Sequence, residues 1–405
     1  MKVKREVRKL ARIFKRLGAT LYLVGGAVRN YYLYLSQPDL DITSVLKVED
    51  FKDAIEKKGY KTAKINKTLG SVIITKNDVK MEYTSFRTEK YSRGHTPQTV
   101  SLYASLIEDS NRRDFTMDSL YYDILGREVV DPHKGIRDIN RRIIRTVNKD
   151  TLYYDGLRLL RLARFAAELS FSIDKTTLIK AKENRSNVDD ISKERIYTEL
   201  VYINNSKEKY GIGNPYIGYK TLYDIGLIDK LFIKGKYSFK KDDLIYFKSE
   251  VKDYFSLLFY IIYRREAYKY GPIILKEFNV DSTTINSTEK TLILVDSIVE
   301  KTKILENIIL YKEEFLNALE IAKLFNKKTS KDAEKTYGYL VKNNLLDKKC
   351  VNISVDELLK LGIPKNRLSD VLHKLHLFVA KNIENNTKEK LINKARRLKW
   401  FNTLH

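Results

Sequence analysis

Asp39 and Asp41 stand two positions apart in the run Pro38-Asp39-Leu40-Asp41-Ile42-Thr43. Residues two apart on a strand share a face. Both carboxylates would then point one way, while Leu40 and Ile42 face a core. Carboxylates so placed repel each other and favour a divalent cation. Upstream, Leu21 to Leu35 reads as a strand, the pair Gly25-Gly26, then a helix. A glycine pair opening a helix lets backbone N–H groups approach phosphate oxygens. Arg29, in the first turns of that helix, adds a fixed cation. Paired acids beside a phosphate cradle suit metal-assisted phosphoryl or nucleotidyl transfer. Taken singly, a Gly-Gly is an ordinary turn and an Asp-x-Asp an ordinary solvated loop. The spacing, with strand and helix between them, joins the two signals.

The elements around these residues read as an α+β head. Leu21–Val24, Asp39–Thr43, Ser71–Thr75, Lys80–Thr84 and Ser119–Asp123 carry strand signals. Helices are expected around residues 2–17 and 27–35. Val3, Val7, Leu10, Phe14 and Leu17 fall at helical spacing in a basic N-terminal stretch. That stretch is read as a structural first helix stopped by Gly18, in preference to a transit peptide. From about residue 151 strand signals fade, and Leu157, Leu160, Ala163, Phe165 and Ala167 begin a helical pattern. An all-α remainder is expected, without a Pro/Gly-rich linker. The expected division is a head over 1–147, a helical neck over 148–205, a body over 206–285 and a tail over 286–405, the last border set near the charged stretch Asp281–Lys290.

The chain has 405 residues, with 76 Lys+Arg against 52 Asp+Glu and a formal charge of +24. Its 43% hydrophobic content builds cores, which excludes a disordered basic tail as the whole molecule. The basic excess points to a polyanion: nucleic acid first, an acidic membrane surface second. Cys350 is the only cysteine, so no intrachain disulfide forms, which fits a reducing cytosol. No apolar run approaches the ~18 residues of a membrane span, and Leu257–Tyr263 has the length of a buried helix or strand.

Further motifs extend the first one. GGAVRN and PDLDIT are followed by EYTSFRTEKY (Glu82–Tyr91), NRRDFTMDSL (Asn111–Leu120), DPHKGIRDINRRIIRTV (Asp131–Val147), YDGLRLLRLARFAAELSFSID (Tyr154–Asp174) and ISKERIYTEL (Ile191–Leu200). In this order they resemble the signatures of class II tRNA nucleotidyltransferases and bacterial poly(A) polymerases, of the DNA polymerase β-like superfamily. The resemblance implies a polymerase β-like head and transfer of a nucleotide from an NTP to an RNA 3′-hydroxyl, with release of pyrophosphate. It implies Mg²⁺ held by Asp39 and Asp41. Glu82 is either a third acid or a strand-edge charge. Gly25, Gly26 and Arg29 would hold the triphosphate, and Arg112 the nucleotide. Arg113 and Asp114 would bind the ribose or form a structural salt bridge.

Asp155 and Arg158 are read at i and i+3 on one helix. A carboxylate accepts from the exocyclic amine of C or A, and a guanidinium donates to the ring nitrogen beside it. G and U present the opposite pattern, leaving buried charges unpaired. Exchanging the two residues should then admit GTP or UTP. Arg161 and Arg164 continue that face toward nucleotide, the alternative being solvated arginines paired with acids such as Glu168. Glu194, Arg195 and Glu199 are read as braces of the neck. The chain departs from the motifs in three places: Asn30 replaces the usual Asp, Asp118-Ser119 replaces Asn-Ala, and Tyr154 replaces a Glu expected to brace Arg158.

Asp356–Ala395 resembles the C-terminal tail of bacterial CCA-adding enzymes through Gly362, Pro364, Leu372, Asn386, Glu389 and Leu391. Such a tail is expected to hold the tRNA elbow while the head works at the acceptor end. Basic clusters at Lys323, Lys327 and Lys328, and at Lys388, Lys390, Lys394, Arg396, Arg397 and Lys399 near Trp400, suit phosphate contacts to folded RNA. His95, His133, His373, His376 and His405 form no metal-ligand set with Asp. The expected function is template-independent addition of CCA to tRNA from CTP and ATP in the cytoplasm, without a membrane role. The alternatives are a poly(A) polymerase, an A-adding or CC-adding specialist, and a non-catalytic RNA-binding relic.

Overall fold

The computed structural model describes residue 1 and residues 3–36, 40–91 and 97–400, the last two of these by backbone alone. Pro38, Asp39, His95 and His405 therefore lie outside the described residues, as do the side chains of Lys399 and Trp400. The chain forms two compact units, one of residues 1–233 with 240–248 and one of 234–239 with 249–405.

The first unit opens with helix α1 (Arg5–Arg16), strand β1 (Tyr22–Val24), helix α2 (Gly26–Tyr32) and strand β2 (Asp41–Ser44). Helix α3 (Val48–Glu56) and strands β3 (Lys61–Asn66), β4 (Ser71–Lys76) and β5 (Val79–Ser85) follow. A two-stranded ribbon, β6 (Thr88–Lys90) with β7 (Thr99–Ser101), precedes helix α4 (Leu106–Asn111). Strands β8 (Tyr121–Asp123) and β9 (Val129–Val130) complete a seven-stranded sheet of order β3-β4-β5-β2-β1-β8-β9. Among the described residues only the β2–β5 pair of this sheet is parallel, so the sheet is mixed, as expected for the head.

One apolar core covers a face of this sheet. Val7, Leu10, Ala11 and Phe14 of α1 are buried, at the spacing the sequence shows. Phe14, Phe51 of α3 and Tyr83 of β5 pack in tilted and edge-on contacts with ring centroids 4.6–5.6 Å apart. Burying each such ring stabilises by about 1.5–3 kcal/mol. Gly18, at φ +80°, ends the first helix as the sequence predicts. Strand β3, six residues with mostly exposed side chains and little apolar alternation to mark it in the sequence, is held by backbone pairing to β4.

The register explains why the glycine turn meets the acids. β1 runs antiparallel to β2 with Tyr22 opposite Thr43 and Leu23 opposite Ile42. The end of β1, from which Gly25 follows, therefore lies beside the start of β2, where Asp41 stands.

Helix α5 (Gly135–Asn140) and strand β10 (Ile143–Ile144) lead to helices α6 (Thr151–Tyr154) and α7 (Leu157–Leu169). Strand β11 (Ser172–Ile173) pairs with β10, so strand structure persists briefly past residue 151. Helices α8 (Lys175–Glu183), α9 (Lys193–Asn204), α10 (Ser206–Tyr210), α11 (Pro215–Asp224) and α12 (Leu227–Phe232) complete this unit, with α7 packed on α9, α10 and α11.

The second unit is helical: α13 (Tyr254–Tyr263), α14 (Ala267–Glu277), α15 (Ser282–Val299), α16 (Ile304–Leu310), α17 (Lys312–Phe325), α18 (Lys327–Lys342), α19 (Val355–Lys360), α20 (Leu368–Lys381) and α21 (Lys388–Trp400). α13, which contains the apolar run Leu257–Tyr263, is buried along its whole length. The border expected at 285/286 falls inside α15. Asp281 accepts from the Thr284 backbone N–H at 2.9 Å, so this charged stretch caps a continuous helix. Among the described residues no helix is long and apolar enough to cross a membrane.

Candidate active site

Asp41 and Glu82 are partners in the β2–β5 ladder. Residues paired across a ladder present their side chains to the same face. The neighbouring partners Ile42 and Tyr83 take the opposite, buried face. Glu82 is thus a second acid beside Asp41, on strands that backbone hydrogen bonds hold rigidly. Two hard oxygen donors side by side fit a divalent cation. Among the described residues no group of three or more Asp, Glu, His or Cys side chains is placed to hold a metal ion.

Asp41 borders a cavity of about 250 Å³ whose wall includes Gly25, Gly26, Arg29, Arg161 and Arg164. Arg113, Asp114, Asp118, Phe165, Lys209 and Tyr210 complete most of the rest. Gly25 adopts φ +68° and ψ −131°, a conformation that disfavours any side chain. A Cβ there would also lie 3.7 Å from Arg113 Nη1 and from the Asp118 carbonyl oxygen.

Each cation on this wall is oriented by an acid. Arg29 Nη1 donates to Asp118 Oδ1 at 2.5 Å. Arg161 Nε donates to Asp114 Oδ2 at 2.7 Å. Arg164 Nη1 donates to Glu199 Oε1 at 3.2 Å, and Lys209 reaches Glu168 at 3.2 Å. Arg113 donates to the Tyr121 hydroxyl at 2.8 Å and to Asp109 at 3.2 Å. Arg29, Arg161 and Arg164 lie around the Phe165 ring, 4.6–5.2 Å from its centroid. Burial works against the Asp114 carboxylate, but Arg161 and Arg158 outweigh it and hold its pKa well below the usual range. Burial pushes Asp118 and Glu199 up, against the pull of Arg29 and Arg164 respectively. Asp118 Oδ2, Arg164 Nε and Glu199 Oε2 are buried without a hydrogen-bond partner. Arg164 is buried, so the picture of a solvated arginine does not hold for it, although it does pair with acids.

Of the other expected nucleotide contacts, Arg112 and Arg158 line a second cavity, of about 270 Å³, with Tyr154, Tyr91, Glu89 and others, and Asp155 is not among its lining residues. Segment 112–114 serves both, with Arg112 on one cavity and Arg113 and Asp114 on the other. Asp155 and Arg158 do not share one helix. Asp155 is extended, at φ −144° and ψ 104°, in the break between α6 and α7. Its Oδ1 accepts from the Leu157 N–H at 3.0 Å, satisfying the exposed start of α7. Gly156 is required beside it, because a Cβ would stand 2.1 Å from the Asn187 carbonyl oxygen. The pair still meets, with Arg158 Nε 3.5 Å from Asp155 Oδ2. Arg158 also donates to the backbone carbonyls of Thr151 at 3.1 Å and Arg112 at 2.7 Å.

Tyr154, in place of the expected Glu, stacks on Tyr91 with centroids 6.2 Å apart. Arg158 is held instead by Asp155, by those carbonyls and by the Tyr91 ring 5.9 Å away.

Several residues of the site were not singled out in the sequence. Asp109, fully buried, receives Arg112 at 2.8–2.9 Å, Arg113 at 3.2 Å and the Tyr121 hydroxyl at 2.6 Å. Its position three and four residues before the arginines was the available signal. Glu89 pairs with Arg87 and Arg112. Lys209 and Tyr210 reach the site only through the packing of α10 on α7, and no local pattern marks them.

In the second unit, Asn386 bridges loops: its Oδ1 accepts from the Asn352 N–H and its Nδ2 donates to the Cys350 carbonyl, both at 2.8 Å. His376 is fully buried against the Leu345 carbonyl at 2.7 Å, a core histidine. Arg396 and Arg397 of α21 are exposed, whereas Lys388 pairs with Glu357 and Lys394 lies over Phe378.

Residues 21–145 match the family model described as the poly A polymerase head domain. Residues 170–235 match one described as a probable RNA and SrmB-binding site of polymerase A. A CCA-adding enzyme of Streptococcus uberis is 36% identical over 206 residues, 49% of this chain and 50% of its own. One from a Geobacillus species is 38% identical over 187 residues, 45% of each chain. The matched region spans about half the length of these curated relatives. The crystal structure of Bacillus stearothermophilus CCA-adding enzyme in complex with CTP superposes with a TM-score of 0.75 and 22% identity, over 98% of both chains. Thermotoga maritima CCA-adding enzyme complexed with tRNA gives a TM-score of 0.74 and 18% identity, over 98% of this chain and 96% of that one. The fold is therefore the expected α+β head followed by helical segments.

Proposed function

We propose that this chain is a member of the poly A polymerase and CCA-adding enzyme family and that it adds C, C and A to tRNA 3′ ends from CTP and ATP without a nucleic-acid template. The observation that carries this reading is a single cavity with Asp41 at its edge and five pre-oriented cations on its wall: Arg29, Arg113, Arg161, Arg164 and Lys209. A carboxylate edge beside a cationic wall is what a triphosphate and an incoming hydroxyl require.

In the proposed reaction the RNA 3′-oxygen bonds to the α-phosphorus, the α–β phosphoanhydride breaks and pyrophosphate leaves. Asp41 and Glu82, with Asp39 from outside the described residues, would hold a divalent cation. Mg²⁺ suits such oxygen donors and would supply hydroxyl activation and charge neutralisation on the leaving group. These five cations would take up triphosphate charge. Their acid partners hold them in place, so little side-chain reorganisation accompanies binding. Gly25 leaves room for the ligand to approach the backbone. Asp155 and Arg158 would read the amine and ring nitrogen of C or A, with Arg112 beside them. We assign residues 1–147 to catalysis, 148–205 to base choice and the helical remainder to tRNA, where exposed Arg396 and Arg397 would meet phosphates. A cytoplasmic site of action fits this substrate.

The test uses tRNA transcripts lacking CCA, CA or only the terminal A, incubated with each NTP. The expected result is CTP addition to the first two, ATP addition to the last, a stop after A, and loss of all three on chelation of divalent cations. A long A homopolymer would instead identify a poly(A) polymerase. tRNA binding without any incorporation would identify a relic.

A further inference from the structure

Two departures from the sequence motifs meet on one guanidinium. Asn30 stands where the motif has Asp, and Asp118 where it has Asn. Asn30 Oδ1 accepts from Arg29 Nε at 3.2 Å and Nη2 at 3.1 Å. Asp118 Oδ1 accepts from Arg29 Nη1 at 2.5 Å. All three residues are buried, at 3%, 2% and 7% exposure for Arg29, Asn30 and Asp118. The two positions present Arg29 with one carboxylate and one amide oxygen. The motif supplies the same two groups with their places exchanged.

We propose that Asn30 and Asp118 are a single compensated exchange: the carboxylate that neutralises Arg29 stands at 118 instead of 30, making Asp118 the positioning residue for this arginine. A buried guanidinium calls for one counter-charge. None leaves it uncompensated, and two leave a surplus carboxylate. The exchange also frees residue 30 to donate. Asn30 Nδ2 gives a hydrogen bond to the Ser36 carbonyl at 2.7 Å and lies 3.3 Å from the Tyr210 hydroxyl. A carboxylate at 30 could not donate to that carbonyl. Arg29 is thereby tied, through one side chain, to the segment leading toward Asp39 and Asp41.

The consequence for nucleotide affinity rests on the function proposed above, but the exchange itself does not. The test is a double-mutant cycle of Asn30→Asp, Asp118→Asn and the double variant in the full chain, read by melting temperature and by KM for ATP. Each single substitution should lower the melting temperature by about 6–12 °C. Asp118→Asn should cost far less in the Asn30→Asp background. Recovery will be incomplete, because a carboxylate at position 30 still lacks the bond to Ser36. KM for ATP should rise at least tenfold in Asp118→Asn and fall back in the double variant. Equal cost of Asp118→Asn in both backgrounds overturns the proposal. If Asp118→Asn alone fails to fold, a folded double variant supports the exchange and an unfolded one overturns it. A wild-type chain inactive toward every NTP would refute the function, while the melting cycle would still decide the exchange.

Discussion

Exchanging Asp155 and Arg158 should relax base choice and also destabilise the protein, because the two positions are not equivalent. Arg158 is buried and donates to two backbone carbonyls, at 2.7 and 3.1 Å, besides meeting Asp155. Hydrogen bonds to charged groups contribute about 1.5–3 kcal/mol each. A carboxylate at position 158 loses both and turns its charge toward the carbonyl oxygens of Thr151 and Arg112. A guanidinium at position 155 cannot accept from the Leu157 N–H, so α7 also loses its cap, worth about 1 kcal/mol. The exchange should cost about 4–7 kcal/mol, lowering the melting temperature by about 10–20 °C.

The assay combines thermal melting with single-nucleotide incorporation, run well below the transition. Relative to CTP and ATP, GTP or UTP should enter about 100-fold more readily, since a site that pairs a polar group rejects the mismatched pattern strongly. Asp155→Asn is the gentler companion. Its amide oxygen can still accept from Leu157, so it should melt within about 2 °C of the parent. Its CTP and ATP selectivity should nonetheless fall. A folded exchange variant that rejects GTP and UTP as before, together with unaltered selectivity in Asp155→Asn, refutes the base-reading role. An unshifted melting temperature in the exchange variant refutes the carbonyl argument.

Glu82→Gln tests the second acid: the Mg²⁺ concentration for half-maximal incorporation should rise about tenfold or more, as when a supporting ligand is lost. An unchanged Mg²⁺ dependence would return Glu82 to a strand-edge charge. Asp109→Asn tests the hub under Arg112 and Arg113. Burial opposes the Asp109 carboxylate, but Arg113 and Arg112 outweigh it and lower its pKa. Its stabilisation is therefore present above the ordinary Asp value near ~3.9 and is lost as pH falls through the lowered folded value. Calorimetry should show the variant about 3–5 kcal/mol less stable at pH 7, with the gap narrowing below about pH 4. A gap independent of pH would show that the charge of Asp109 is not what matters.

The legible features were those set by local covalent spacing. Gly25-Gly26, Asp41 of the Asp-x-Asp pair and the apolar periods of α1 and α7 depend on residues a few positions apart, and each of these appears where its pattern places it. The helix expected to carry both Asp155 and Arg158 was misread for a non-local reason. Gly156 packs against the Asn187 carbonyl, and that distant contact breaks the helix. The 285/286 border failed for the reverse reason, since a capping Asp at a helix start reads in sequence much like a charged linker.

By itself the sequence determined the motif order, the basic balance, the candidate acids and arginines, and the alternation that points Asp41 away from the core. The tertiary structure alone decided which charges meet. Nothing local pairs Arg29 with Asp118, Arg161 with Asp114, Arg164 with Glu199 or Lys209 with Glu168. Nor does anything local set Glu82 in register with Asp41 or divide the arginines between two cavities. A buried ion must find its counter-ion wherever the packed chain brings one, because desolvation is too costly to leave it alone. That requirement acts through space, so it can join positions 30 and 118 as firmly as neighbours on a helix, and a sequence read along its length does not display it.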